Sequence, residues 1–345
     1  YAHGNLLEAE AEALVNTVNC VGSMGKGIAL QFKQAFPENF SACESASHAG
    51  QVQPGRMFIF ETREMIGPKY IINFPTKRHW KGKSKLEDID AGLDALVKNV
   101  AHLGIKSIAV PPLGCGLGGL DWNEVRPRIE LAFKTVPDVR VLLFAPAGPP
   151  DAKAMPIRTK PAKMTRARAL FIKLMQQYSG MAYRLTLLEV QKLAYFLQEC
   201  GEPLKLRYAA HTYGPYAENL RHVLKAVEGH LLTGYADGGD APNKRLELVP
   251  GAVSDAEAFL AADAETKRRF NDVAALVDGF ESPFGLELLA TVHWVARRQS
   301  ANTVEAATAQ VYAWSQRKRS LFREQHLRLA WQVLEAEGWL NDPRG

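Results

Sequence analysis

The sequence predicts an α/β domain followed by a mainly α-helical domain. Strand-like and helix-like patterns alternate from residue 1 to about 148. Two glycine-rich loops each follow an apolar strand and precede an amphipathic helix. Beyond about residue 166 the apolar spacing turns helical, after a stretch rich in Pro, Lys and Arg. Helices between strands imply a sheet covered on both faces.

The elements follow in order. Ala13-Leu14-Val15 opens a strand over 13–18, and a helix is predicted over 27–36. Strands are predicted over 57–61 and 70–74. In the predicted helix over 86–103, Leu86, Ile89, Leu93, Leu96, Val97 and Val100 form one stripe at helical spacing. A strand over 107–110, a helix over 122–135 and a strand over 139–144 complete the domain. Ala145-Pro146-Ala147-Gly148-Pro149-Pro150 ends it, and residues 149–165 read as a linker. From 166 to 345, Thr186-Leu187-Leu188-Glu189 has the form of a capping box, opening a helix that stops at Gly201-Glu202-Pro203. Further helices are predicted over 217–227, 256–278, 283–298, 303–316 and 321–336, with an extended or hairpin interruption over 204–213.

The two loops point to a ligand. The first runs Asn16-Thr17-Val18-Asn19-Cys20-Val21-Gly22-Ser23-Met24-Gly25-Lys26-Gly27-Ile28, and the second Leu113-Gly114-Cys115-Gly116-Leu117-Gly118-Gly119-Leu120. Glycine permits close backbone approach and positive φ. Free N–H groups at a helix start suit phosphate. Ligands in α/β sheets sit at the carboxyl ends of strands, so both loops belong to one crevice. Two such loops suggest one diphosphate held from both sides.

Charge narrows the class. The net charge of +5 divides as +1 over 1–150, +5 over 151–168 and −1 over 169–345. The basic excess is therefore a property of the linker, read as a solvated tether, and not of a domain-wide nucleic-acid surface. The four cysteines lack metal-ligand spacing, so no metal site is expected and reduced thiols fit a cytoplasmic protein. No apolar run is long enough to span a bilayer, and no stretch reads as a signal peptide.

Residues 1–146 resemble a macrodomain, a fold that binds ADP-ribose. The resemblance implies a mixed sheet sandwiched by helices. Gly4-Asn5-Leu6 stands where macrodomains carry an acid that accepts from the adenine amino group; the Asn5 side-chain oxygen retains that acceptor without charge. Val15-Asn16-Thr17-Val18-Asn19 is similar to the segment that faces the distal ribose. The resemblance implies an ADP-ribose site of Asn5, Leu6, Asn19, Gly22, Ser23, Met24, Gly25, Lys26, Gly27, Ile28, Gly114, Cys115, Gly116, Leu117 and Gly118. Gly25-Lys26-Gly27-Ile28-Ala29 and Asn73-Phe74-Pro75-Thr76-Lys77-Arg78-His79-Trp80 resemble the branch holding terminal ADP-ribose protein glycohydrolase and the DarG family of bacterial antitoxins. That family reverses ADP-ribosylation of thymidine in DNA by a partner ADP-ribosyltransferase toxin, DarT. The resemblance makes Lys77 the catalytic lysine. The protein glycohydrolase carries an acid where this chain has Gly118, so that acid-assisted step does not carry over; Asp121, the next acid, is an outside candidate for it and reads first as a helix N-cap.

The bond to be broken then joins the anomeric carbon of the distal ribose to a thymine nitrogen. A neutral Lys77 would attack that carbon or trap the opened sugar as a Schiff base; a charged one would stabilise the departing base. Arg78 and Lys81 are its cationic sequence neighbours, and His79 is a candidate proton donor to the base. Each has a plainer reading: Lys77 as a solvated cation, His79 as a surface group, Asn19 as a turn residue, Cys20 and Cys115 as packing residues. Lys77, Arg78, Lys81, Lys83 and Lys85, interleaved with His79 and Trp80, suit a single DNA strand. Neither cofactor nor membrane partner is implied. Leu188 to Gln198 followed by His211-Thr212-Tyr213-Gly214-Pro215-Tyr216 faintly resembles SocA-like antitoxin domains, and the family match implies that 166–345 binds the toxin. A non-catalytic ADP-ribose reader, a ligand-sensing transcription regulator and an O-acetyl-ADP-ribose deacylase are the competing functions.

Overall fold

The computed structural model describes residues 1–64, 66–148, 155–179, 185–261 and 264–340. The chain divides into two compact units, Tyr1–Lys160 with Ala236–Gly239, and Pro161–Tyr235 with Asp240–Gly345.

In the first unit the elements run β1 (Ala13–Asn19), α1 (Gly27–Ala35), α2 (Pro37–His48), β2 (Phe58–Glu61), β3 (Tyr70–Lys77), α3 (Leu86–His102), β4 (Ser107–Val110), α4 (Trp122–Phe133) and β5 (Arg140–Leu143). The sheet order is β2-β3-β1-β4-β5. β2 runs antiparallel to β3, and the other pairs are parallel, so the sheet is mixed. Alternation along β1 assigns the faces. Ala13 and Val15 join Ile72, Phe74 and the α3 residues Ile89, Leu93, Leu96 and Val100 in one core. Leu14 faces the opposite way, into a core with Phe32, Ala35 and Phe36. Both faces are thus covered, as the near-continuous apolar strands require.

Two local features set the position of β3. A methyl group built on Gly92 would stand 2.2 Å from the Phe74 ring, so this glycine lets the ring lie against the α3 backbone. Glycine inside a helix costs about 1 kcal/mol relative to alanine; burying the ring contributes roughly 1.5–3 kcal/mol. The second feature is a bulge. Val18 pairs with Pro75 but Asn19 pairs with Lys77, which leaves Thr76 as an extra residue whose hydroxyl donates to Val18 O at 3.5 Å. Bulges re-aim side chains beside active sites. Here the shift sets Lys77 opposite Asn19 at the carboxyl ends of β1 and β3.

Three differences from the sequence reading stand out. α2 was not expected. Its apolar stripe is weak, but Pro37 occupies its first turn, and Asn39, Cys43, Ala46 and Ser47 form its buried face. β3 runs past Phe74 to Lys77, through a proline that lies beyond the pairing with β2. The linker is not wholly a solvated tether: Met155 is buried in the first unit's core, and Arg158 N donates to Gln34 O at 2.9 Å. Residues 149–154 lie outside the described residues.

The second unit is mainly helical: α5 (Arg166–Ser179), α6 (Leu187–Glu199), the hairpin β6 (Tyr208–His211) and β7 (Gly214–Ala217), α7 (Leu220–Val227), and the short pair β8 (Leu232–Thr233) and β9 (Glu247–Leu248). Then follow α8 (Ala252–Leu260), α9 (Ala264–Val277), α10 (Pro283–Arg298), α11 (Val304–Trp314), α12 (Gln316–Leu321) and α13 (Glu324–Ala336). At the start of α6, Glu189 accepts from Thr186 N at 2.6 Å and from its hydroxyl at 2.7 Å. The helix predicted from 217 begins at Leu220 because Ala217 is paired with Tyr208. The helix predicted over 321–336 begins at Glu324, because Phe322 and Arg323 are extended. The helix predicted over 256–278 is seen as α8 and α9. No helix among the described residues is long and apolar enough to cross a membrane.

Candidate active site

β1, β3 and β4 are parallel, so their carboxyl ends share one edge, from which both glycine loops and the segment 78–85 depart. Lys77 ties these pieces together. Its Nζ donates to Leu117 O in the second loop at 2.5 Å, and its own carbonyl accepts from Cys20 N at 3.1 Å. A methyl group on Gly27 would stand 3.7 Å from Leu117 Cδ1, so the first loop reaches the second at the same point. Desolvation holds the Lys77 ammonium below its usual pKa, and the charge of Lys83 lowers it further. The relevant cation is Lys83. Arg78 is spent on Asp88, donating from Nε at 3.2 Å and from an η nitrogen at 2.9 Å, and Lys81 lies over the Trp80 ring at 4.9 Å.

Asn19 has a structural task within the first loop. Its Oδ1 accepts from Val21 N and Ser23 N, both at 3.2 Å, and its Nδ2 donates to Ser23 O at 2.6 Å. Gly22 has φ +79°, and a methyl there would meet Glu44 Cα and Ser47 Cβ at 3.2 Å each. Ser23 is exposed, whereas Gly25, Lys26 and Ile28 are half-buried around the start of α1, with Lys26 at its N-cap position. Gly27 N donates to Asp237 O at 2.7 Å, in the short segment that belongs to this unit. Asn5 caps a short 3₁₀ turn: its Oδ1 accepts from Leu7 N at 3.1 Å, and its Nδ2 lies 3.8 Å from Met155 Sδ. The Leu6 side chain lies in the core, and its carbonyl accepts from Ala9 N at 3.1 Å.

The second loop is wound tightly. Cys115 N donates to Pro112 O, Gly119 N to Gly116 O and Leu120 N to Gly114 O, at 3.0–3.1 Å. Gly114 has φ +71°. A methyl on Gly118 would stand 2.2 Å from both Gly114 O and Ser84 Oγ, so a side chain fits there only if the loop opens. The missing acid is therefore a property of the packed loop as well as of the sequence. Asp121 is the α4 N-cap, accepting from Asn123 N at 2.9 Å. Burial pushes the Cys115 thiol up to about 11 and raises that of Cys20, which fits packing residues and not nucleophiles. His79 is exposed and stacked on Trp80 with ring centroids 5.3 Å apart, and its Nδ1 accepts from Lys81 N at 3.2 Å. In the neutral ring the proton then sits on Nε2.

Sequence reasoning missed a buried amide network under the first loop. Asn16, Asn39 and Asn73 are fully buried. Asn73 Oδ1 accepts from Asn16 Nδ2 at 2.9 Å and from Asn39 Nδ2 at 3.3 Å; its Nδ2 donates to Asn39 Oδ1 at 2.7 Å and to Phe58 O at 3.2 Å. Asn16 Nδ2 also lies 3.7 Å from Met24 Sδ, which ties the loop to β1. Polar residues in an otherwise apolar central strand were the available signal. Among the described residues no group of His, Cys, Asp or Glu is placed to hold a metal ion.

Residues 15–129 match the Macro domain family. Over 341 residues the chain is 46% identical to the DNA ADP-ribosyl glycohydrolase of Thermus aquaticus, covering 99% of this chain and 94% of that protein. The chain belongs to the DNA ADP-ribosyl glycohydrolase family. The solved macrodomain of Mycobacterium tuberculosis DarG is 56% identical, covering 43% of this chain and 97% of that one, with a TM-score of 0.42. A DNA ADP-ribosyl transferase–DNA ADP-ribosyl glycohydrolase fusion protein of Thermosipho africanus is 34% identical over 158 residues, 41% of this chain and 40% of the fusion. The glycohydrolase family thus extends over both units, while the Macro domain match falls within the first.

Proposed function

We propose that this chain hydrolyses the N-glycosidic bond between ADP-ribose and thymidine in single-stranded DNA, with Lys77 as the catalytic residue. The observation that carries this is the Lys77 amine, partly desolvated, beside a second cation and held against the second glycine loop. Both influences enlarge the neutral fraction that can act as a nucleophile. Attack by Nζ forms a bond to the anomeric carbon as the bond to the thymine nitrogen breaks. The electron pair leaves on the base, which takes a proton from His79 or water. The amine-linked ribose opens to a Schiff base, and water then releases ADP-ribose and free lysine. The glycine loops hold the diphosphate, Asn5 the adenine end, and Asn19 shapes the loop against the distal ribose.

The second unit, in this reading, binds and blocks the partner ADP-ribosyltransferase toxin. Support comes from the Thermosipho fusion protein, whose name joins the transferase and the glycohydrolase in one chain. Four free cysteines suit action in the cytoplasm.

The test is release of ADP-ribose from an ADP-ribosylated thymidine oligonucleotide. Wild type should release it, and Lys77→Ala should lose release while retaining ADP-ribose affinity. Borohydride should trap the wild-type protein on the sugar. No release by wild type, or undiminished release by Lys77→Ala, would sink the mechanism. The toxin half stands on co-purification of the toxin with residues 161–345; tight operator binding without toxin would point to a regulator instead.

A further inference from the structure

Five cations lie in the segment 77–85, and the structure separates them. Lys77 is engaged with Leu117 O, Arg78 with Asp88, and Lys81 with the Trp80 ring. Lys83 is exposed, yet its amine lies over the second loop: a methyl on Gly119 would stand 3.1 Å from Lys83 Nζ. Lys77 and Lys83 therefore bracket the stretch Leu117-Gly118-Gly119 from its two ends. The bracket has a rigid base. Ser84, buried beside Lys83, donates from its N–H to Gly118 O at 3.1 Å, and its side chain fills the space next to Gly118. Lys83 has no acidic partner among the described residues. The Lys83 ammonium thus stands over Gly119, at the end of the second loop away from Lys77 and just past Gly118, the last residue of the expected ADP-ribose site.

We propose that Lys83 recognises the phosphodiester next to the modified thymidine, so that the enzyme prefers an adduct within a strand over free ADP-ribosyl-thymidine. The inference rests on the function proposed above and names the group that makes DNA the substrate. A lysine–phosphate contact adds affinity with salt dependence, about 0.7 in the log–log slope per phosphate on a single strand.

The experiment compares wild type, Lys83→Gln and Lys83→Arg on an ADP-ribosylated oligonucleotide and on the free ADP-ribosyl nucleoside. Lys83→Gln should raise the KM for the oligonucleotide about 10-fold, and reduce the salt slope by about 0.7. Because Lys83 also helps to lower the Lys77 pKa, kcat should fall on both substrates, while the KM for the nucleoside and the ADP-ribose affinity by calorimetry should stay within about twofold of wild type. Lys83→Arg should recover most of the loss. An equal rise in KM on both substrates, or weakened ADP-ribose binding, would assign Lys83 to the diphosphate and overturn the proposal; an unchanged KM on the oligonucleotide would overturn it as well. Oligonucleotide binding measured by anisotropy in the Lys77→Ala background reads Lys83 without turnover. An inactive wild type would then count against the reaction alone.

Discussion

Gly118→Ala tests whether the packed second loop, and not composition alone, sets up the site. The added methyl would stand 2.2 Å from Gly114 O and from Ser84 Oγ. Van der Waals contact with oxygen needs roughly 3.2–3.5 Å, so the loop must open by about 1 Å. Ser84 can rotate away, but Gly114 O is main chain and already accepts from Leu120 N at 3.1 Å. Overpacking of this kind costs about 1–3 kcal/mol. The neighbouring carbonyl, Leu117 O, is the Lys77 acceptor, so the same movement displaces the amine. A misplacement of about 1 Å at a reacting group costs on the order of 100-fold in rate. Initial rates of ADP-ribose release, read beside thermal unfolding, should show that loss in a folded protein. Gly116→Ala meets nothing within 4 Å and should cost much less. Ser84→Gly combined with Gly118→Ala should not restore the rate, because the carbonyl clash persists. Activity of Gly118→Ala within twofold of wild type would refute the steric reasoning.

Three further outcomes follow from the geometry. Asn73→Leu strips partners from the amides of Asn16 and Asn39 and from Phe58 O, at about 1–3 kcal/mol for each group left unsatisfied; urea unfolding should show a loss of roughly 3–9 kcal/mol, and near-neutrality would mean these hydrogen bonds add little to stability. Because the Cys115 thiol is held near 11, it stays protonated at pH 7.5, and brief iodoacetamide treatment should leave both the thiol and the rate intact. In the second unit, burial pushes fully buried Lys192 down to about 7, with Lys318 adding to the shift and Glu287 opposing it. The unfolded chain then binds more protons between about pH 7 and 10.4, so stability rises with pH across that window. Lys192→Met should flatten the rise, and parallel stability–pH curves for the two proteins would refute it.

The legible parts of this protein share a property: each is written in residues close together in the chain. Ala13-Leu14-Val15 announces a central strand, and the Leu86 to Val100 stripe announces α3. The bounds of α3 fell within one residue of expectation, since apolar periodicity and helix ends are local signals. α2 escaped because small and polar residues form its buried face. Ala217 looked helical until its pairing with Tyr208 drew it into a hairpin.

The sequence by itself determined the alternating sheet-and-helix unit and the two glycine loops after strand ends, while Lys77 was singled out by the family resemblance and not by its own pattern. Glycine chemistry and hydrophobic spacing act over a few residues and need no knowledge of the fold. The tertiary structure decided what those residues do. The Thr76 bulge set Lys77 opposite Asn19, the Lys77 amine found a carbonyl 40 residues away, and Ser84 closed the space that a side chain at Gly118 would need. It also made Lys83, and not Arg78, the cation that bears on Lys77. Such outcomes depend on strand register and on which loop is packed against which, and no local pattern encodes a hydrogen bond that closes only when distant strand ends share one edge.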